Sequence, residues 1–203
     1  MEEKELLREI QIRGQHRRSL TAIAGAPGSG KSTIAEKLAA ELNDEEAGSA
    51  SVFPMDGYHY DDLILNARGW RPRKGAPHTF DVAGFGQMLL RLRTNNEEQV
   101  AVPVFDRDIE ISRNSARLID RNVRHVIVEG NYLLLDEAPW RDLAEHFDTT
   151  VFLDVPIKVL ETRLAQRWQH LETTERTAKL EKNDLPNARQ VNSRSRPSEF
   201  VLN

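Results

Sequence analysis

The chain has 203 residues, enough for one α/β domain with a core on both faces of a sheet and short for two. Its 28 Lys and Arg against 32 Asp and Glu give a formal net charge of −4, which argues against a nucleic-acid partner that needs a basic field. With no cysteine it can form neither a disulfide framework nor a thiolate nucleophile or metal site, which fits a reducing compartment.

The first stretch, "MEEKELLREIQIRGQHRRS", carries acidic residues and no apolar core segment, unlike a signal or transit peptide. No apolar run approaches the roughly 20 residues that span a bilayer. The expectation is a cytoplasmic protein without a membrane partner. Leu6, Leu7 and Ile10 share one face of a charged helix ending near Gly14. "SLTAIAG" reads as a buried strand that runs into a glycine loop. "KSTIAEKLAAEL" is a helix with Ile34, Leu38 and Leu42 on one face, and "SVFPMD" is a strand ending at Asp56. Strand, loop, helix, strand is the order of a parallel sheet with crossover helices.

"RGWRPRKGAPHTFD" holds too many prolines and glycines for a regular element. It reads as a loop feeding a helix capped by Asp81, with Phe85, Met88, Leu89 and Leu92 facing the core. "VAVPVFDRDIEISR" is extended and then polar. "VRHVIVEG" is a buried strand ending at Glu129, "APWRDLAEHF" a short helix and "TTVFLDV" another buried strand. Pro156 takes the first position of a helix running to about Leu171, with Leu160, Leu164 and Trp168 packed inward. Asp184 stands as an N-cap before "LPNARQV", and the last residues leave room for a final strand. No repeat or linker divides residues 1–203, so one domain is expected.

Gly25-x-x-x-x-Gly30-Lys31-Ser32 matches the P-loop pattern between a strand and a helix, the context that gives the motif its meaning. The stretch Gly25, Ala26, Pro27, Gly28, Ser29, Gly30, Lys31, Ser32 and Thr33 turns backbone N–H groups around a nucleotide's phosphates. Lys31 reaches the β- and γ-phosphates, and the Ser32 hydroxyl faces Mg²⁺. Two further strands end in acids, Asp56 and Glu129, where ligands of an open parallel sheet bind. Beside Mg²⁺ and a triphosphate, one carboxylate binds metal and the other accepts the proton of an attacking hydroxyl. Asp56 followed by Gly57 is also an ordinary turn.

Together "GAPGSGKST", "PMDGYHYDD", "RKGAPHTFD", "PVFDR" and "VEGNYLLLD…PW" resemble the phosphoribulokinase, uridine kinase and pantothenate kinase group of P-loop kinases. The similarity runs from about Leu20 to Arg196 and leans towards the bacterial branch called fructose-transport-system kinases or nucleoside/nucleotide kinase-like proteins. It implies a doubly wound parallel sheet flanked by helices with a helical lid at about residues 163–183. It also implies ATP and Mg²⁺, with Asp56 as general base and Glu129 helping Ser32 hold the metal.

The same resemblance borders the acceptor site with Arg73 and Lys74, and lines it with Asp106 and Arg107. An Asp–Arg surface pair is the plainer alternative for the latter two. Tyr58 and His59 beside the base, and Asn131 and Tyr132 after Glu129, read as walls of a small polar pocket. His78 either touches substrate or makes a backbone hydrogen bond at the start of a helix. Arg163 and Arg167 lie four apart on one helix face. They either pair with nearby acids or, as P-loop kinases suggest, close a lid over the γ-phosphate and exclude water. Arg176 is a further lid candidate. "NDLPNARQV", with Asn183, Asp184, Asn187 and Val191, resembles the segment that borders the adenine.

The expected activity is phosphoryl transfer from Mg·ATP to a hydroxyl of a small molecule. A sugar such as fructose stands first, with a nucleoside or pantothenate open, and a homodimer not excluded. The rival from another class is a nucleotide-binding regulator or ATPase switch. It would want switch loops or base-reading signatures that the sequence does not supply.

Overall fold

The computed structural model describes residues 3–203. α1 (Glu3–Arg13) places Glu3 and Glu5 at its start and Arg13 at its end, charges matched to the helix dipole, and buries Leu6 and Ile10. β1 (Ser19–Gly25) is buried along its whole length and feeds the glycine loop. α2 (Lys31–Glu45) follows, then β2 (Ala50–Pro54). Asp56 sits one turn beyond β2, in a 3₁₀ segment from Met55 to Tyr58.

α3 (Asp62–Ala67) leads into two short 3₁₀ turns, Arg71–Arg73 and Pro77–Thr79, within the glycine- and proline-rich stretch. α4 (Val82–Thr94) starts where expected, its Gly84 N–H donating 2.9 Å to the Asp81 carboxylate. Phe85, Leu89 and Leu92 are fully buried on its inner face.

The extended, then polar stretch forms a hairpin of β3 (Gln99–Asp106) and β4 (Ile111–Asp120) that stands apart from the main sheet. Its register shifts between Val102 and Val104, across Pro103, which has no N–H to give a ladder. The hairpin packs on the Asp56 turn through Gly57, where an added Cβ would stand 2.5 Å from the Pro103 carbonyl oxygen. Arg117 of β4 donates 2.5 Å to the Val52 carbonyl on the outer strand.

β5 (His125–Gly130) is buried throughout, followed by a 3₁₀ segment, Trp140–His146, within the stretch read as a short helix. β6 (Thr149–Leu153) precedes α5 (Ile157–Arg167), which Pro156 caps from just outside; the chain leaves the helix at Trp168, before Leu171. α6 (Thr173–Lys179), a π-helical turn (Leu180–Asp184) and α7 (Leu185–Arg194) run on without a break. Asp184 therefore does not cap a helix. Its φ of −66° and ψ of −46° are helical, and its carboxylate instead accepts from the Trp168 indole at 2.6 Å. β7 (Phe200–Leu202) supplies the final strand.

The main sheet is all parallel, in the order β2-β5-β1-β6-β7. Its central strands β1 and β5 are apolar on both faces because helices cover both, the doubly wound arrangement expected from the element order. One core lies between α1, α2 and the sheet around Ile23, Leu38, Ile127 and Val151. The larger one gathers Phe53, Phe85, Val128, Tyr132 and Trp140 on the opposite face. Among the described residues no helix is long and apolar enough to cross a membrane.

Candidate active site

The strand order reverses about β1, with β5 and β6 on either side. The carboxyl ends of β1 and β5 bring the glycine loop and Glu129 to one crevice, the usual ligand position in an open α/β sheet. Asp56 joins them from the turn after β2. Together they form the floor of a cleft of about 330 Å³.

The loop is shaped for phosphate. Gly30 holds the left-handed conformation (φ 97°) just before α2, no side chain caps that helix, and a Cβ on Gly30 would meet nothing within 4 Å. The first N–H groups of α2 thus face an open cradle with the positive end of the helix dipole behind them. The buried Ser29 hydroxyl has no partner, and Lys31 Nζ rests on the Ala26 carbonyl at 3.0 Å. Pro27, Gly28, Ser32 and Thr33 also line the cleft, whereas Gly25, Ala26 and Ser29 form the loop's inner side. These donors, with the Ser32 hydroxyl and the Glu129 carboxylate as hard oxygen ligands, fit a magnesium-bound polyphosphate.

The charges on the floor are coupled. Burial pulls the Lys31 ammonium below its ordinary value, while Glu129 and Asp56 push it back up. Burial and the neighbouring Asp56 charge push Glu129 up to about 6, with Lys31 and Arg107 opposing. Burial would raise Asp56 as well, but His59, Arg107 and Lys31 outweigh it and hold the carboxyl below the usual aspartate range. Arg107 Nη2 donates 2.7 Å to Asp56 Oδ2. One carboxylate is thus kept ionised and the other is driven towards its neutral form, the environment-set contrast that separates roles in catalytic pairs.

The upper walls divide the remaining candidates. His59, Lys74, Arg107, Asn131 and Arg167 line the cleft. His59 lies between the Phe80 and Phe105 rings, its centroid 4.0 and 4.6 Å from theirs, and burial lowers its imidazole. Lys74, almost enclosed, donates 2.7 Å to Asp62 and 2.5 Å to the Glu110 carbonyl.

Other candidates turn away. Tyr58 packs edge-on against Phe53 and Phe85 in the core, and Tyr132 is fully buried, its hydroxyl donating 2.6 Å to the Gly75 carbonyl. Neither is a pocket wall; each supports one from behind. Arg73 does not itself line the cleft; it donates to Asn187 Oδ1 (2.9 Å), a lining residue together with Asn183 and Asp184, and to the Lys182 carbonyl (2.5 Å). His78 stacks edge-on against Trp70 at 5.1 Å, and Asp106 pairs with Arg113 at 3.3 Å and accepts from the Asp108 N–H. Arg163 donates to the Gly28 and Ser29 carbonyls at 3.2 and 3.3 Å, bracing the loop from outside. Of the two helix arginines, Arg167 faces the cleft.

Three lining residues lie outside the quoted motifs: Glu110, Trp168 and Lys179. Lys179 Nζ lies over the Trp168 ring at 4.8 Å and 3.7 Å from Glu110, so α6 and the hairpin tip meet across the mouth. Trp168 is consequently a cleft wall and not an inward-packed core residue. The pairing of "W" with a lysine eleven residues on is a signal only once the turn between them is known. A second groove, about 480 Å³, opens between α2 and the hairpin and reaches Ser32, Asp56 and Glu129 from the other side.

A parallel sheet carrying a phosphate loop, a buried lysine and two opposed carboxylates defines a P-loop phosphotransferase. No family model matches the sequence. The chain is 34% identical to the Escherichia coli protein YggC, over 97% of this chain and 82% of that one. It is 32% identical to a candidate uridine kinase of Schizosaccharomyces pombe, over 96% of this chain and 87% of the relative. The crystal structure of a candidate fructose transport system kinase from Silicibacter sp. TM1040 superposes with a TM-score of 0.91 at 41% identity, covering 100% of both chains. The chain belongs to the uridine-kinase-like small-molecule P-loop kinases, enzymes that phosphorylate hydroxyl groups.

Proposed function

We propose that this chain, a single domain over residues 1–203, moves the γ-phosphate of ATP to a hydroxyl of a small polar metabolite, with a sugar such as fructose ranked first. The observation that carries this reading is the convergence of Lys31, Asp56, Glu129, Arg107 and Arg167 on one cleft. Asp56, held ionised, takes the proton from the acceptor hydroxyl. Lys31 and the loop N–H groups hold the phosphates, and Arg167 approaches them from the lid, residues 163–183. Ser32 and Glu129 would hold Mg²⁺, which when bound would neutralise phosphate charge and favour the ionised form of Glu129. Among the described residues no group of three or more His, Asp or Glu is placed to hold a metal ion by itself.

His59, Lys74, Arg107 and Asn131 face the acceptor. Lys74 shares the Asp62 carboxylate with Arg71, and Arg107 pairs with Asp56. The likeness to the candidate fructose transport system kinase of Silicibacter supports a sugar as the first choice. A cytoplasmic enzyme acting on a free metabolite fits the composition.

The test is ADP release from Mg·ATP against a panel of sugars, nucleosides, pantothenate and phosphosugars, with Asp56→Asn beside the natural protein. One acceptor should raise turnover far above hydrolysis, and Asp56→Asn should remove the rise. Stimulation by none of them, with slow hydrolysis indifferent to Asp56, would instead support a regulator or ATPase switch.

A further inference from the structure

The π-helical turn at Leu180–Asp184 interrupts a continuous helical run between the lid and the body. Such a wide turn adds a residue to the helix and is commonly kept where a helix must bend or present a side chain. Here it presents Asn183. Asn183 Nδ2 donates 2.7 Å to the Lys74 carbonyl, and its Oδ1 accepts from Asn187 Nδ2 at 3.2 Å. Asn187 Oδ1 in turn accepts from Arg73 at 2.9 Å, and Arg73 also donates to the Lys182 carbonyl inside the π turn. The chain of bonds is closed: it leaves the 71–75 loop at Arg73, passes through two buried amides, and returns at Lys74. Asn187 and Asn183 are 1% and 8% exposed, so neither is free to exchange these partners for water.

The loop held in this way carries Lys74 and Gly75 into the cleft wall. Its next carbonyl, Gly75, is pinned from the core by Tyr132. The loop is therefore gripped between a fixed body and the hinge of the lid.

We infer that Asn183 and Asn187 are positioning residues that tie the acceptor loop to the lid hinge, so that closure over the nucleotide orders the acceptor side. They act on the 71–75 loop through the Lys74 carbonyl and the Arg73 side chain, and both themselves also line the cleft. The inference rests on the kinase reading and adds to it a reciprocal coupling: nucleotide should tighten the acceptor site, and acceptor should tighten nucleotide.

The experiment is hydrogen exchange on the full chain with and without Mg²⁺ and the non-hydrolysable analogue β,γ-imido-ATP, for the natural protein, Asn183→Ala, Asn187→Ala and the control Asn192→Ala. Asn192 sits on the same helix but bonds to the Val155 carbonyl. In the natural protein the analogue should slow exchange across 163–183 and, by about tenfold, across 71–76. In Asn183→Ala and Asn187→Ala the lid should still be protected while the effect on 71–76 falls below about twofold. Asn192→Ala should behave as the natural protein. A merely structural loss would raise exchange in the loop equally with and without analogue. If one alanine variant fails to fold, the other carries the test, with Arg73→Lys as a third cut in the chain. Protection of the lid without protection of 71–76 in the natural protein overturns the coupling and leaves the kinase reading standing. So does a nucleotide effect that survives both alanine variants. Failure of the analogue to bind sinks the kinase reading, and the coupling with it.

Discussion

The two halves of the cleft are built in opposite ways. The phosphate half is one uninterrupted stretch, Gly25–Thr33, seated on two wholly buried strands and working mainly through backbone N–H groups. The acceptor half is drawn from the turn after β2, the 71–75 loop, the hairpin and the lid, joined by side-chain pairs such as Arg107–Asp56 and Lys74–Asp62. Backbone fixed by a sheet does not reorganise when a ligand arrives, which suits a group common to every turnover. Half-exposed ion pairs are individually weak, so they can be remade around different acceptors at little cost. A family can thus keep one phosphate site and vary what receives the phosphate.

Asp56, where the halves meet, offers the hardest break of that comparison. Asp56→Asn should lower acceptor-stimulated ADP release by about 10³ while the affinity for ATP stays within about threefold, read by steady-state kinetics and calorimetry. A matching loss of ATP affinity would mean that the residue belongs to the phosphate half.

Gly57→Ala should cost about 2 kcal/mol in denaturant melts and slow turnover as well, because the new methyl collides with the Pro103 backbone and lifts the hairpin off the base. A neutral result would show that the hairpin is loosely seated.

Glu129→Gln should have the reverse sign on stability. Glu129 ionises near 6 when folded against an ordinary 4.5, so the folded chain holds the extra proton between those values and loses stability as pH rises through them. Without nucleotide or metal, the variant should be more stable than the natural protein by up to about 2 kcal/mol at pH 8 and equal to it near pH 4, while its turnover collapses. Equal melting at both pH values would remove the strain from the floor of the site. Arg113→Ala, which cuts the exposed pair with Asp106, should shift stability by less than about 0.5 kcal/mol; a large loss would show the hairpin tip to be a fixed part of the wall.

The same contrast explains what could be read without coordinates. Gly25–Thr33, Glu129 near the end of β5 and the Asp81 cap are local patterns, each legible within a few residues; Asp56 was legible as a site residue, but β2 stops at Pro54 and leaves it in the turn beyond. Neighbours in sequence were harder to sort. His59 and Asn131 face the cleft while Tyr58 and Tyr132 face the core, because adjacent side chains leave a turn in different directions. Arg163 and Arg167 share a helix face, yet one braces the loop from outside and the other lines the cleft, a difference of one turn along α5. Asp184 looked like a cap because a π turn that continues a helix leaves no breaker in the sequence. Glu110 and Lys179 were invisible, since only the fold-back of the hairpin onto the lid brings them together.

The hydrogen bond from Arg117 to Val52 also bears on how the chain survives its own synthesis. β2 is the outermost strand on its side of the sheet, and a bare strand edge invites pairing with the edge of another molecule. A guanidinium seated on its carbonyl row, on a hairpin that folds only after that strand has been made, turns a sticky margin into a charged one. Arg117→Ala in the full chain should therefore raise light scattering during refolding relative to the natural protein, because it bares that margin without removing a strand.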